Sequence, residues 1–187
     1  MRADGAMDAK QLSLPIDNMS ERHPGLSNGT ALSYHEAARV CLDRHHSSPI
    51  SFSLETNEAT TSALVKWDEP DDNCRAAHAN EIDATEWGAY CCALATTELL
   101  RGLVAIYRAP TGTGADYYLN DAEGQHEDLE MAIRLEVSGT DQGTTPQIRA
   151  RLLTKINQAR EGASNLPALA AVVGFKSSRI ALSDLIV

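Results

Sequence analysis

At 187 residues the chain has the length of one domain with a sizeable core. Hydrophobic residues make up 43%, charged residues 22% and aromatics 5%, a balance that excludes collagen-like, low-complexity and wholly disordered proteins. Sixteen Lys and Arg against 26 Asp and Glu leave a formal charge of −10, so any contact with nucleic acid has to be local.

No stretch approaches the ~18–20 uninterrupted apolar residues of a membrane span, and Met1 to Asp17 lacks the basic-then-apolar pattern of a signal peptide. A cytoplasmic protein with no membrane partner is expected. Cys41, Cys74, Cys91 and Cys92 contain no CxxC spacing, so reduced and mostly buried thiols are expected rather than a zinc site or a disulfide framework.

Residues 1–29 mix Pro15, Pro24, Gly5 and Gly25 with scattered charges and no lasting period, which predicts a mobile N-terminal arm ahead of a single domain over 30–187. A cap at Thr30 or Ser33 and the stripe Ala37, Ala38, Cys41 and Leu42 predict a helix over Tyr34 to Arg44. Ile50, Phe52 and Leu54 alternate with polar residues and predict a strand, and Ala63 to Trp67 forms a second apolar run. From Glu55 to Glu98 ten acids face only Lys66 and Arg75, a local net of −8 that suits a basic partner. Trp87, Tyr90, Cys91 and Leu94 mark the apolar face of a helix from about Asp83 to Leu100, which Gly102 terminates. Three strand-like runs follow, Leu103–Tyr107, Ala115–Leu119 and Met131–Val137, with the turn Pro110 to Gly114 between the first two. Short connections favour pairing of neighbours, so an antiparallel meander is expected. Pro146 opens a helix to about Arg160, and Leu169–Phe175 and Ile180–Val187 read as strands. The order predicts an α/β fold with a central mixed sheet flanked by helices.

Along Met131–Val137 the apolar residues point to one face, and Arg134, Glu136 and Ser138 to the other. On the strand before it, Asp116 sits among Ala115, Tyr117, Tyr118 and Leu119, where an acid is costly to bury without a partner or a metal. Paired as a hairpin, Asp116 and Glu136 converge. Two carboxylates on neighbouring strands suit a hard divalent cation, Mg²⁺ or Mn²⁺, which takes oxygen ligands and retains waters.

These residues, Asp116 in GTGADYYL and Glu136 in RLEVSG, resemble the acidic half of the PD-(D/E)xK, or restriction-endonuclease-like, nuclease superfamily. That family's core runs helix, three-stranded meander, helix and strand, an order similar to the one predicted from about residue 83 to 175. The resemblance implies hydrolysis of phosphodiester bonds in DNA or RNA, with Asp116 and Glu136 as metal ligands. Glu86 is the match to the glutamate that the family often adds from its first core helix. Bacterial defence or a mobile-element system is the setting such an activity fits. The pattern departs from the family at one point: the lysine two residues after the second acid is here Ser138. Counting 100° per residue from Ile148, Leu152 falls at about 40°, Ala159 at about 20° and Lys155 at about −20°. Lys155 therefore lies on the packed side of its helix and is expected to meet an acid, Glu136 or Asp116. It is the candidate replacement for the missing lysine. Arg151, Gln147 and Gln158 share the adjoining flank, and Thr140 to Arg160 carries a local net of +3 from Arg149, Arg151, Lys155 and Arg160 against Asp141. Arg134 on its strand and Arg149 and Arg151 on the locally basic helix are the expected substrate-binding residues, facing nucleic acid.

Two other readings of the residues stay open. One is a non-catalytic subunit on the same fold that binds a protein partner or a second copy of itself, in keeping with Ser138 and the acidic Glu55 to Glu98 run. The other is an acidic, nucleic-acid-mimicking protein.

Overall fold

A computed structural model describes residues 11–124, 129–161 and 165–185. In chain order the elements are β1 (Leu12–Ser13), α1 (Asn28–Asp43), β2 (Ile50–Glu55), β3 (Thr60–Val65), α2 (Asp72–Ala77), α3 (Glu81–Arg101), β4 (Leu103–Arg108), β5 (Tyr117–Asp121), β6 (Ile133–Thr140), α4 (Thr145–Glu161), β7 (Ala168–Gly174) and β8 (Arg179–Leu185). The strands form one eight-stranded mixed sheet in the order β1-β3-β2-β8-β7-β6-β5-β4. The fold is thus α/β, with helices on both faces of a mixed sheet. Among the described residues no helix is long and apolar enough to cross a membrane.

The three strands β4, β5 and β6 are the expected antiparallel meander. After β6 the chain crosses over through α4 and returns as β7, parallel to β6, which is the standard use of a helix to join parallel neighbours. Each residue of β7 is buried. Leu169, Ala171 and Val173 enter the main core, while Val172 packs with Ile148 and Ala168 with Ala159, both of α4. Strand alternation therefore puts α3 and α1 on one face and α4 on the other. Sandwiching makes β7 a continuous apolar run, as strands covered on both sides are.

Helix α3 starts where Asn80 accepts from the backbone N–H groups of Ile82 and Asp83, and ends at Gly102, whose φ of 67° is left-handed. Trp87, expected on its apolar face, is 40% exposed. Small residues instead form the face that meets α1: a Cβ at Gly88 would come within 3.0 Å of the Cα of Ala38. The backbones approach too closely there for an indole, so Trp87 sits at the rim against Tyr34 and His78.

The arm expected over 1–29 is corrected from residue 11 onward; residues 1–10 lie outside the described residues. Leu14, Ile16, Met19 and Leu26 are all buried in the main core. β1 adds to β3, and the stretch around His23 closes the opposite edge of the sheet. There the Ala105 N–H donates to Nδ1 of His23 at 2.9 Å and the Gly25 N–H donates to the Ala105 carbonyl at 2.8 Å. A Cβ at Gly25 would stand 2.6 Å from the Tyr107 nitrogen, so only glycine lets the segment lie on β4. Unevenly spaced, without a helical or strand period, these anchors leave no periodic signal. Helix α1 begins earlier than expected, with Ser27 as its cap, and the strand expected from Met131 starts at Ile133, leaving Met131 75% exposed.

Candidate functional site

Strand β5 pairs with β6 only as far as Tyr117 opposite Leu135, while β6 runs on to Thr140 beside β7. Beyond Tyr117 the two strands fork, and the ladder partner of the next β6 N–H is missing. Asp116 fills that place: its Oδ2 accepts from the Val137 N–H at 2.8 Å. Asp116 itself lies just ahead of β5, where its own N–H donates to the Leu135 carbonyl at 2.7 Å. The fork opens into a cleft of about 540 Å³ lined by Glu81, Ile82, Thr85, Glu86 and Tyr90 of α3, by Asp116, by the end of β6, and by Arg151 and Lys155 of α4. It lies at the carboxyl end of β6 where the chain crosses over, the place at which open α/β sheets generally bind ligands.

Gly139 permits this geometry. A Cβ there would lie 2.5 Å from the Thr85 carbonyl oxygen and 2.9 Å from Cβ of Ala89, so β6 and α3 touch at the floor of the cleft.

Tyr90 joins two of the carboxylates. Its hydroxyl lies 3.0 Å from Oε1 of Glu86 and 3.0 Å from Oδ1 of Asp116. The two carboxylate oxygens are thus at most twice that distance apart. Arg108 donates to the same hydroxyl at 3.0 Å and stacks over the Tyr90 and Tyr117 rings, 4.4 and 4.7 Å from their centroids. Burial, followed by the charge of Asp116, pushes the Tyr90 hydroxyl well above its ordinary pKa, so it keeps its hydrogen. The Tyr117 hydroxyl, also raised by burial, shares a 2.7 Å hydrogen bond with Tyr34.

On the α4 side, Lys155 Nζ lies 2.9 Å from Oε2 of Glu136, with side-chain exposures of 23% and 10%. This is the acid contact that the helical wheel called for. Arg151 reaches Ser138, donating to Oγ at 3.1 Å and to the Gly139 carbonyl at 3.3 Å.

The sequence-predicted residues Glu86, Asp116, Lys155 and Arg151 therefore line one cleft, with Glu136 behind Lys155. Two other expectations are corrected. Arg134 is 3% exposed and gives its guanidinium to the Leu166 carbonyl, at 3.2 and 3.1 Å, so it fastens the chain entering β7 and is not among the residues lining the cleft. Arg149 leans away from the cleft toward Glu55 of β2, 3.7 Å distant. Tyr90 and Arg108 went unassigned in the sequence, where Tyr90 reads as one more apolar residue of α3. Among the described residues no group of three or more His, Cys, Asp or Glu side chains is arranged to hold a metal ion. Against protein-family models, curated proteins and solved structures the chain gives no match.

Proposed function

We propose that the chain is a divalent-metal-dependent nuclease with a restriction-endonuclease-like core, hydrolysing phosphodiester bonds in DNA or RNA. The observation that carries this reading is the Lys155–Glu136 contact on a cleft that both Lys155 and Asp116 line. It supplies, from α4, the cation that the motif lacks at Ser138. The succession of α3, the β4–β5–β6 meander, α4 and parallel β7 supports it. The donor set fits Mg²⁺ or Mn²⁺, because Mg²⁺ uses only one or two carboxylates and takes its other ligands from water and substrate phosphate. Asp116 and Glu136 would hold it, and when bound it supplies an activated water and offsets charge on the phosphate. Glu86 orients water from α3, Tyr90 holds Asp116 in place, Lys155 sets its charge beside the scissile phosphate, and Arg151 binds a phosphate oxygen.

A second reading has its own observation. Both oxygens of Asp116 already have donors and Glu136 already has a cation, which is how a structural carboxylate pair looks in a non-catalytic subunit that binds a basic protein. Cleavage assays on DNA and RNA with Mg²⁺ and Mn²⁺ separate the two. The nuclease reading expects Lys155→Ala to lower cleavage by at least ~100-fold, the scale of one electrostatic transition-state contact, and Asp116→Ala to abolish Mn²⁺ binding in titration calorimetry. Absence of cleavage and of Mn²⁺ binding in the unsubstituted protein rejects it.

A further inference from the structure

The two walls of the cleft differ in charge. Gln147, Arg151, Thr154, Lys155 and Gln158 of α4 border the cleft or the two shallow hollows that continue it. At 100° per residue these five fall within an arc of about 100°, and from Gln147 to Gln158 the stripe is about 16 Å long. It contains two cations and three neutral hydrogen-bonding side chains. The only acid in α4 is Glu161 at its end. Facing it, α3 presents Glu81 and Glu86, with Asp83 exposed beside them and Ile82 77% exposed between them.

From this asymmetry we infer that the ligand of the cleft is a single strand of nucleic acid, its phosphates running along α4 and its bases turned toward Ile82. The inference rests on the reading of the cleft as a phosphodiester site and adds the form of the substrate. A duplex carries a phosphate backbone on both flanks of each groove. Seating one backbone on Arg151 and Lys155 brings the other toward Glu81, Asp83 and Glu86, where like charge repels it. A single strand has phosphates on one side only. Its uncharged bases tolerate an acidic wall, and their faces can cover an exposed isoleucine. The stripe supplies the basic track that single-strand binders use without reading sequence, and Ile82 across the cleft offers apolar surface where those binders place an aromatic ring.

The test is fluorescence anisotropy in EDTA, where no hydrolysis occurs, using a labelled short DNA strand, the RNA strand of the same sequence, and the DNA duplex. At least one single strand should bind ~10-fold or more tightly than the duplex, and Arg151→Ala should reduce the slope of log affinity against log salt by about 0.7. Ile82→Ser should weaken strand binding without changing that slope, and Glu81→Lys should raise duplex affinity toward that of the strand. Equal or tighter duplex binding overturns the inference, as does failure of both strands to bind or indifference to Arg151→Ala and Ile82→Ser. Mg²⁺-dependent cleavage of duplex without strand preference would leave the nuclease reading intact and remove this one. Strand binding without cleavage under any metal would do the reverse.

Discussion

The phenol oxygen of Tyr90 has one hydrogen to donate and two carboxylates within reach of it, Glu86 and Asp116. Arg108 donates to the same oxygen, so at any moment one carboxylate goes without the Tyr90 hydrogen. Asp116 is the better held of the two because its other oxygen accepts from the Val137 N–H. Repulsion between bare carboxylates would by itself make removal of Asp116 neutral or stabilising without metal. The geometry predicts the opposite. Asp116→Ala strands the Val137 N–H at the fork and should cost about 1–3 kcal/mol in EDTA, whereas Asp116→Asn, which keeps an acceptor oxygen, should cost less. Urea denaturation of both variants measures the difference, and a stabilised Asp116→Ala would refute this account.

Backbone meets backbone where β6 crosses α3. The Thr85 carbonyl that a Cβ at Gly139 would strike belongs to the helix backbone and cannot swing aside. Gly139→Ala should therefore destabilise by about 1–3 kcal/mol, the usual cost of overpacking, and should reshape the cleft floor. A change within about 0.5 kcal/mol in urea would mean that the two elements separate freely. At the far edge of the sheet, the β4 ladder ends on an imidazole. His23 is fully buried, accepts the Ala105 N–H at Nδ1, and lies 3.1 Å through Nε2 from Glu98, which also binds Arg22 at 2.6 Å. Burial holds its pKa below the ordinary 6.5 against the opposing pull of Glu98. The unfolded chain therefore binds more protons than the folded one in the interval below 6.5. His23 contributes stability that is complete above 6.5 and is lost as pH falls through that interval toward the lowered folded value. Melting temperatures of the wild type should fall more steeply there than those of His23→Asn, and amide exchange at Ala105 should accelerate first. Parallel pH profiles would remove His23 from this role.

Across the whole molecule the four cysteines report on cooperativity. All are buried and free, and burial pushes the Cys41 thiol up to about 12 and Cys91 and Cys92 upward as well. Thiolate is the reactive form, so native protein should resist alkylation at these three positions until it unfolds globally. Cys74, on the short α2 and 7% exposed, should be modified first. Labelling followed by mass spectrometry checks the order, and equal rates at all four would contradict it.

The same contrast of local and global separates what the sequence disclosed from what it hid. Strands β4 to β6, helices α3 and α4 and the inward turn of Lys155 rest on local periodicity and were legible from it. Tyr90 was not, because the fate of its hydroxyl depends on Asp116, 26 residues away. Arg134 reads as a substrate-binding residue because strand alternation says which face a residue takes but not what covers that face. The place of β8 was equally hidden: nothing local indicates that Arg179–Leu185 lies between β2 and β7.

That position of β8 bears on how the chain is made. Its partners β2 and β7 lie on either side of it and pair with it in opposite senses, β2 parallel and β7 antiparallel. Until β8 is synthesised, β1–β3 and β4–β7 are two sheet fragments, each with an unsatisfied inner edge exposing backbone donors and acceptors. Such edges are templates for pairing with another chain. A nascent polypeptide arrested before Arg179 would thus present two adhesive borders during translation, and shielding by a chaperone would matter most in that interval.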